Sequence, residues 1–144
     1  MHTNQTRILI VDEDQSFVVA LQSYFEQMGY YASGATSAQQ AIELFEQQPY
    51  KIVLSNEMLP SMNGLLLLEE LKSLRGDVMV IMMSETVSLT KILMSRAHGA
   101  MDFILKPTDD FLELDQSIRR AINMIERWNK LINNQKQLST NVHA

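Results

Sequence analysis

Short apolar runs alternate along the chain with amphipathic stretches of helical period. The four clearest runs, at residues 8–11, 52–54, 78–83 and 103–105, contain no alternating polar positions. Such runs are typical of strands that are buried on both faces of a parallel sheet. A weaker run at residues 30–33 predicts an edge strand.

The stretches after each run carry apolar residues three or four positions apart, which predicts five helices. Their apolar stripes are Phe17, Leu21, Tyr24 and Met28; Ala41, Ile42 and Phe45; residues 65–74; Leu89, Ile92, Leu93 and Ala97; and Leu114, Ile118, Ala121, Ile122 and Ile125. Asp14 and Ser37 are expected to cap the first two helices. Alternating strands and helices predict an α/β fold, a doubly wound five-stranded parallel sheet in the flavodoxin-like order 2-1-3-4-5.

Composition narrows the class of protein. The chain has 144 residues and no cysteine, which suits one domain and excludes a disulfide scaffold, a thiol nucleophile and a zinc ribbon. No apolar run approaches the roughly 18 residues of a membrane span, and the N-terminus does not look like a secretion signal. We therefore expect a cytoplasmic protein that does not bind membranes.

Charge divides the chain into two parts. Residues 1–126 carry a net charge of -8, whereas residues 127–144 carry +3 from Arg127, Lys130 and Lys136 with no acid. An acidic body does not favour phosphate backbones, so we expect no direct binding to nucleic acid. We expect a domain over residues 6–126 and, over 127–144, a helical extension or linker.

Polar side chains follow the predicted strands, at the edge where doubly wound sheets carry their working site. They are Asp12, Glu13 and Asp14 after the first strand, Ser55, Asn56 and Glu57 after the third, Ser84 and Glu85 after the fourth, and Lys106 and Pro107 after the fifth. The carboxylates, the amide, the hydroxyl and the lysine are expected to converge in one cleft.

Five motifs at these strand ends and loops carry a resemblance. They are Ile-Leu-Ile-Val-Asp-Glu-Asp at 8–14, Val-Leu-Ser-Asn-Glu-Met-Leu-Pro-Ser-Met-Asn-Gly-Leu at 53–65, Met-Met-Ser-Glu at 82–85, Gly-Ala at 99–100 and Leu-Lys-Pro at 105–107. Over residues 6–126 the chain resembles the receiver domains of two-component response regulators. In that family a phosphoryl group passes from a phosphohistidine to an aspartate after the third strand, assisted by Mg²⁺.

The resemblance implies a role for each matching position. Asp12 and Glu13 would be the metal pair with the backbone carbonyl of Met58, Ser84 the switch hydroxyl, Lys106 the phosphoryl-binding lysine, Phe103 the rotating aromatic, and Pro107 the loop residue after the lysine. Asn56 departs from the pattern, because it stands where the family has its phosphoaccepting aspartate. An amide is a poor nucleophile, and losing this carboxylate weakens Mg²⁺ binding.

The resemblance with Asn56 predicts a phosphorylation-independent interaction module rather than an enzyme. Glu57 is not expected to replace the aspartate, since successive strand residues point to opposite sides, and no general base is evident for Ser84. The alternative is an ordinary phospho-accepting receiver that carries an Asp-to-Asn substitution and regulates an output domain. A flavin carrier of similar topology is disfavoured, because three acids after the first strand would repel a phosphate.

Simpler structural roles stand beside the functional ones. Asp14 is expected to be a helix cap, and Ser84 could cap the fourth helix, with Thr86 and Ser88 as rivals. Phe103 could be a core residue alone.

A partner is expected on the face formed by the fourth helix, fifth strand and fifth helix. That face includes Leu89, Lys91, Met94, Arg96, Phe103 and Arg119. The partner would be a histidine kinase or another signalling protein. Beyond it, Met124, Trp128, Leu131, Gln135 and Leu138 are spaced by 4, 3, 4 and 3 positions, a seam-like pattern that predicts either a homodimer or the start of a linker.

Overall fold

The computed structural model describes residues 6–107 and 110–143, with side chains described as far as Gln137. Five strands and five helices alternate: β1 (Arg7–Val11), α1 (Gln15–Gln27), β2 (Tyr31–Ala35), α2 (Ala38–Gln47), β3 (Ile52–Asn56), α3 (Gly64–Leu74), β4 (Met79–Ser84), α4 (Leu89–Ala97), β5 (Asp102–Leu105) and α5 (Leu112–His143). Asp14 and Ser37 cap α1 and α2 as predicted, through side-chain oxygens that accept from backbone N–H groups.

The strands form one parallel sheet in the order β2-β1-β3-β4-β5. This confirms the predicted doubly wound order, with β2 at an edge. The second strand begins one residue later than predicted and extends to Ala35, two residues beyond the predicted run.

The pleat of the sheet divides the core into two layers. In the first layer, residues such as Ile8, Ile52 and Ile81 pack under α1 and α5. In the second layer, their chain neighbours, such as Leu9 and Val53, pack under α2 and α3. Adjacent residues therefore belong to opposite layers throughout the central strands, as the two-residue strand period requires.

Helix α4 presents apolar side chains to solvent. Its one buried residue is Ser95, whereas the side chains of Leu89, Leu93 and Met94 are 71%, 55% and 46% exposed. The predicted helix is therefore present, but most of its apolar side chains do not pack against the sheet. An exposed apolar cluster of this kind marks an interaction surface more often than an isolated surface leucine does.

Helix α5 leaves the body of the molecule and continues to His143, which confirms the predicted extended C-terminal helix. Among the described side chains, Ile122 is the last buried one, and every side chain from Glu126 to Gln137 is exposed. In the part of the chain that the structure describes, no helix is long and apolar enough to cross a membrane.

Candidate functional site

The carboxyl ends of β1, β3, β4 and β5 meet at one edge of the sheet and bring the predicted site side chains together. The pleat sorts these side chains into two groups. Asp12, Asn56 and Lys106 continue the alternation of the first layer, whereas Glu57 and Ser84 continue that of the second. The contacts follow the same division.

Asp12 and Lys106 form the innermost ion pair. Asp12 is fully buried, and its Oδ1 accepts from the backbone N–H of Asp14 at 2.8 Å. Its Oδ2 lies 2.8 Å from Lys106 Nζ, outside the angles of a hydrogen bond, so this oxygen is held by charge. The Lys106 ammonium also lies 4.6 Å from the centre of the Phe17 ring, a cation–π distance.

The side-chain amide of Asn56 bridges two acceptors. Its Nδ2 donates to Glu13 Oε2 at 3.0 Å and to the backbone carbonyl of Met58 at 2.9 Å. Only the NH₂ end of the amide can face this pair, because a carboxylate and a carbonyl both lack protons to donate. The amide therefore cross-links the β1–α1 loop to the β3–α3 loop.

The groups that the resemblance assigns to Mg²⁺ do not fit a metal ion as they are arranged. Glu13 and the Met58 carbonyl are occupied by the Asn56 amide, and Asp12 is paired with Lys106. Over residues 6–107 and 110–143, no group of three or more His, Cys, Asp or Glu side chains is placed to hold a metal. A cation would have to displace a hydrogen-bonded amide. It would also meet one carboxylate fewer than in a site that carries an aspartate at residue 56.

A second network lies on the other side of the pleat. Glu57 Oε2 accepts from the hydroxyl of Ser84 and from Lys91 Nζ, the latter at 3.0 Å. Lys91 also donates to Thr86 Oγ1 at 2.6 Å, and the Thr86 N–H donates to Ser84 Oγ at 3.2 Å. The Ser84 hydroxyl is thus tied by Glu57 and Lys91 to the first turn of α4.

Two expectations for Ser84 change with this geometry. Ser88, one of its rivals, caps α4 by accepting from the Lys91 N–H, so Ser84 is not the cap. The expectation that no base stands beside Ser84 is wrong, because the Ser84 hydroxyl donates a hydrogen bond to the Glu57 carboxylate. Glu57 does point away from the Asn56 contacts, as the strand period predicts.

Sequence reasoning placed Lys91 on a partner surface and did not connect it to the site. The strand period could have placed Glu57 and Ser84 on one face. Their adjacency depends on the register of β3 against β4, in which Asn56 pairs with Met83. No pattern in the sequence predicts that the Lys91 side chain extends from α4 to Glu57.

Phe103 and Pro107 lie at the rim. Phe103 is partly buried against the second layer, and Pro107 lines an open cleft together with Lys106, Leu105 and Glu85. The predicted site residues are therefore brought to one edge of the sheet, but as two groups with separate contacts.

The loop after β3 is fixed by backbone contacts that require glycine. The Gly64 N–H donates to the Glu57 carbonyl at 2.8 Å, and Met58 pairs with Asn63 in an isolated bridge. A Cβ on Gly64 would lie 2.6 Å from the Asn56 carbonyl oxygen and 2.7 Å from that of Glu57. The glycine lets α3 begin directly against the site.

Comparisons with known proteins agree with this fold. The sequence model of the response regulator receiver domain matches residues 8–119. The chain is 31% identical over 115 residues to the transcriptional regulatory protein ZraR of Escherichia coli K12, covering 80% of this chain and 26% of that protein. It therefore spans about a quarter of the length of that relative.

Two solved structures of response regulator proteins share the fold of this chain. A CheY-like response regulator receiver domain protein from Methanospirillum hungatei JF-1 superposes with a TM-score of 0.80 at 29% identity, covering 86% of this chain and 98% of that one. The response regulator TrrA of Thermotoga maritima, solved with Mg²⁺-BeF, shares the fold with a TM-score of 0.73 at 23% identity, covering 81% and 99%. With the sheet order, the strand-end site and the match over residues 8–119, the chain belongs to the response regulator receiver domain family.

Proposed function

We propose that this receiver domain works without phosphorylation, as a protein–protein interaction module of two-component signalling. Asn56 holds the phosphoacceptor position, Asp12, Glu13 and the Met58 carbonyl hold the metal positions, and Ser84, Lys106 and Phe103 hold the switch positions. Pro107 belongs to the loop after the lysine. Receiver domains are in general signalling modules rather than enzymes.

The observation that carries the proposal is the pair of hydrogen bonds from Asn56 Nδ2 to Glu13 Oε2 and to the Met58 carbonyl. The amide supplies two donors where the family resemblance calls for a cation held by carboxylate and carbonyl oxygens. A carboxylate at residue 56 could not make these contacts without a bound cation or a proton. The pocket is thereby satisfied with no ligand.

Acetyl phosphate with Mg²⁺ tests the proposal directly. We expect the intact mass of the chain to remain unchanged after incubation, because the amide of Asn56 is not a nucleophile. A gain of one phosphoryl group that maps by peptide analysis to this pocket, on Ser84 for example, would overturn the proposal.

The Asn56→Asp variant separates the proposal from its alternative, an ordinary phospho-accepting receiver that carries a substitution at residue 56. Under the proposal the variant stays unphosphorylated. Mg²⁺-dependent phosphorylation of the variant, together with a change in its self-association, would favour the alternative. The output domain that an ordinary regulator controls would lie outside this sequence.

The partner surface proposed for the module is the face of α4, β5 and α5. Apolar Leu89 and Met94 lie there with the cation Arg96, on a body whose net charge is negative, whereas Lys91 on the same face is paired with Glu57. Such a face fits an amphipathic partner with acidic flanks, whether a histidine kinase or another signalling protein. Leu89→Arg should abolish this binding while Leu74→Arg, on α3, leaves it intact.

A further inference from the structure

The exposed part of α5 carries one apolar stripe. Met124, Trp128 and Leu131 follow the 4-3 spacing of positions d, a and d of a heptad, and Gln135 occupies the next a position. The side chains of Trp128 and Leu131 are 41% and 55% exposed. Leu138 continues the spacing, with its side chain outside the described part of the chain.

An exposed apolar stripe on a helix indicates that another molecule packs against it. All described side chains from Glu126 to Gln137 are exposed, and helices in proteins gain most of their stability from the packing of an amphipathic face. We propose that the extension pairs with the same helix of a second copy of this chain, parallel and in register. The folded body anchors the start of the helix and so removes the cost of nucleating it.

The period of the stripe favours a helical partner over a groove. A 3.5-residue spacing keeps one seam facing one straight or supercoiled helix, as in two-stranded coiled coils. Ile132 lies at the e position beside the seam and is 51% exposed, which widens the apolar contact.

The polar seam residue favours an identical partner in register. Gln135 at an a position would face Gln135 of the second copy, where each amide can donate to and accept from the other. A shifted or antiparallel helix would instead place it against an apolar side chain. A single buried amide at an a position is a known means of fixing register.

The charges allow two copies to approach. Arg127, at the g position, would lie opposite the e-position Ile132 of the second copy rather than opposite a cation. Lys130 and Lys136 occupy the outer c and b positions. Two of the three positive charges of the extension are thereby kept away from the seam, and the third flanks it opposite an apolar side chain.

Two substitutions test association. We expect sedimentation to give a dimer mass for the full chain, and the emission of Trp128, its sole tryptophan, to shift to shorter wavelength as concentration rises. Leu131→Glu should abolish both effects, whereas Asn133→Glu, at the outer f position, should leave both unchanged. A monomer mass at all concentrations, or binding of a monomeric chain to anionic phospholipid vesicles through this helix, would overturn the proposal.

Orientation is tested by cross-linking, which is unambiguous because the chain has no cysteine. Met124→Cys should form an oxidised dimer several-fold more efficiently than the neighbouring Asn123→Cys, which points outward. Both positions are exposed, so circular dichroism should show native folding for each. Equal cross-linking of the two variants would overturn the parallel arrangement. Cross-linking of Leu131→Cys without cross-linking of Met124→Cys would also overturn it, because in an antiparallel pair a residue meets its own copy only near the midpoint of the contact.

Discussion

Asn56 presents an amide to Glu13 where an aspartate would present a second negative charge. Asn56→Asp should therefore lower the unfolding free energy in EDTA by about 1–3 kcal/mol, since two hydrogen bonds are lost and like charges are brought together. Added Mg²⁺ should raise the stability of the variant more than that of the native chain.

Urea denaturation with EDTA and with Mg²⁺ measures both effects. Asn63→Asp is the matched control, because Asn63 caps α3 through its side-chain oxygen and aspartate caps equally well. Equal stabilities of the Asn56→Asp variant and the native chain in EDTA would contradict the role given to the amide.

Asp102 gives a residue-scale prediction about pH. Burial alone would raise the pKa of Asp102, but hydrogen bonds from Ser117, Arg120 and the Phe103 N–H outweigh it and hold that pKa below its ordinary value. A lowered pKa in the folded state stabilises the fold above the unfolded pKa, and this stability is lost as pH falls through the folded value.

Ser117→Ala removes the buried hydroxyl that donates to Asp102 Oδ2 at 2.7 Å. We expect a loss of about 1 kcal/mol in the unfolding free energy at pH 7, which shrinks at acid pH as the pH falls through the lowered pKa of the Asp102 carboxyl group. Urea denaturation at pH 7 and at acid pH measures it, with Ser73→Ala on the surface of α3 as control. A loss that does not depend on pH would place the effect in packing alone.

At the residue scale, the sequence was sufficient to predict that Lys106 and the acids of the β1–α1 loop meet at one edge of the sheet. The sequence also identifies the amide at residue 56 as a departure from the family pattern, although it does not predict the two hydrogen bonds that this amide donates. It was insufficient for the contacts of Lys91, because a long flexible side chain on a neighbouring helix can reach several acceptors and only the folded geometry selects one.

Helix α4 is held to the sheet edge by polar contacts more than by burial. Lys91 ties its first turn to Glu57 and Thr86. Lys91→Met should therefore speed amide hydrogen exchange in residues 88–92 several-fold, since the opening of this segment loses its main restraint.

Lys51→Met provides the control for the loss of a lysine, because Lys51 pairs with Asp77 in an exposed ion pair away from α4. Hydrogen exchange followed by mass spectrometry compares the three proteins. Unchanged exchange in α4 of the Lys91→Met variant would show that the network does not restrain the helix.

Hydrophobic periodicity was sufficient to predict the helices and strands as elements, including α4. It could not predict which side of α4 faces outward, because the predicted stripe looks the same whether it meets the sheet or solvent. That stripe is Leu89, Ile92, Leu93 and Ala97. The shift of β2 has a similar cause, since an edge strand is only partly buried and carries a weak pattern.

The whole molecule is expected to fold without the extension, as a domain over residues 6–126. A chain that ends at Glu126 should have an unfolding free energy within about 1 kcal/mol of the full chain at low concentration, because the described side chains that are removed, up to Gln137, are exposed. Urea denaturation followed by circular dichroism measures it. A larger loss would move the domain boundary into the extension.

The order of the sheet followed from alternating elements and right-handed crossovers, which leave few topologies for five strands. The continuation of α5 was predicted from spacing alone. The spacing by itself does not specify what lies against the extension, because that contact belongs to a second molecule.

The extension of α5 beyond the body also acts as a lever arm. From Glu126 to His143 it extends roughly 27 Å at the helical rise, about twice the ~14 Å radius of gyration of a body of its size. A tilt of about 10° where the helix leaves the body would displace its far end by about 5 Å. Small adjustments near Ile122 are therefore magnified into separations large enough to open or close a contact at the far end.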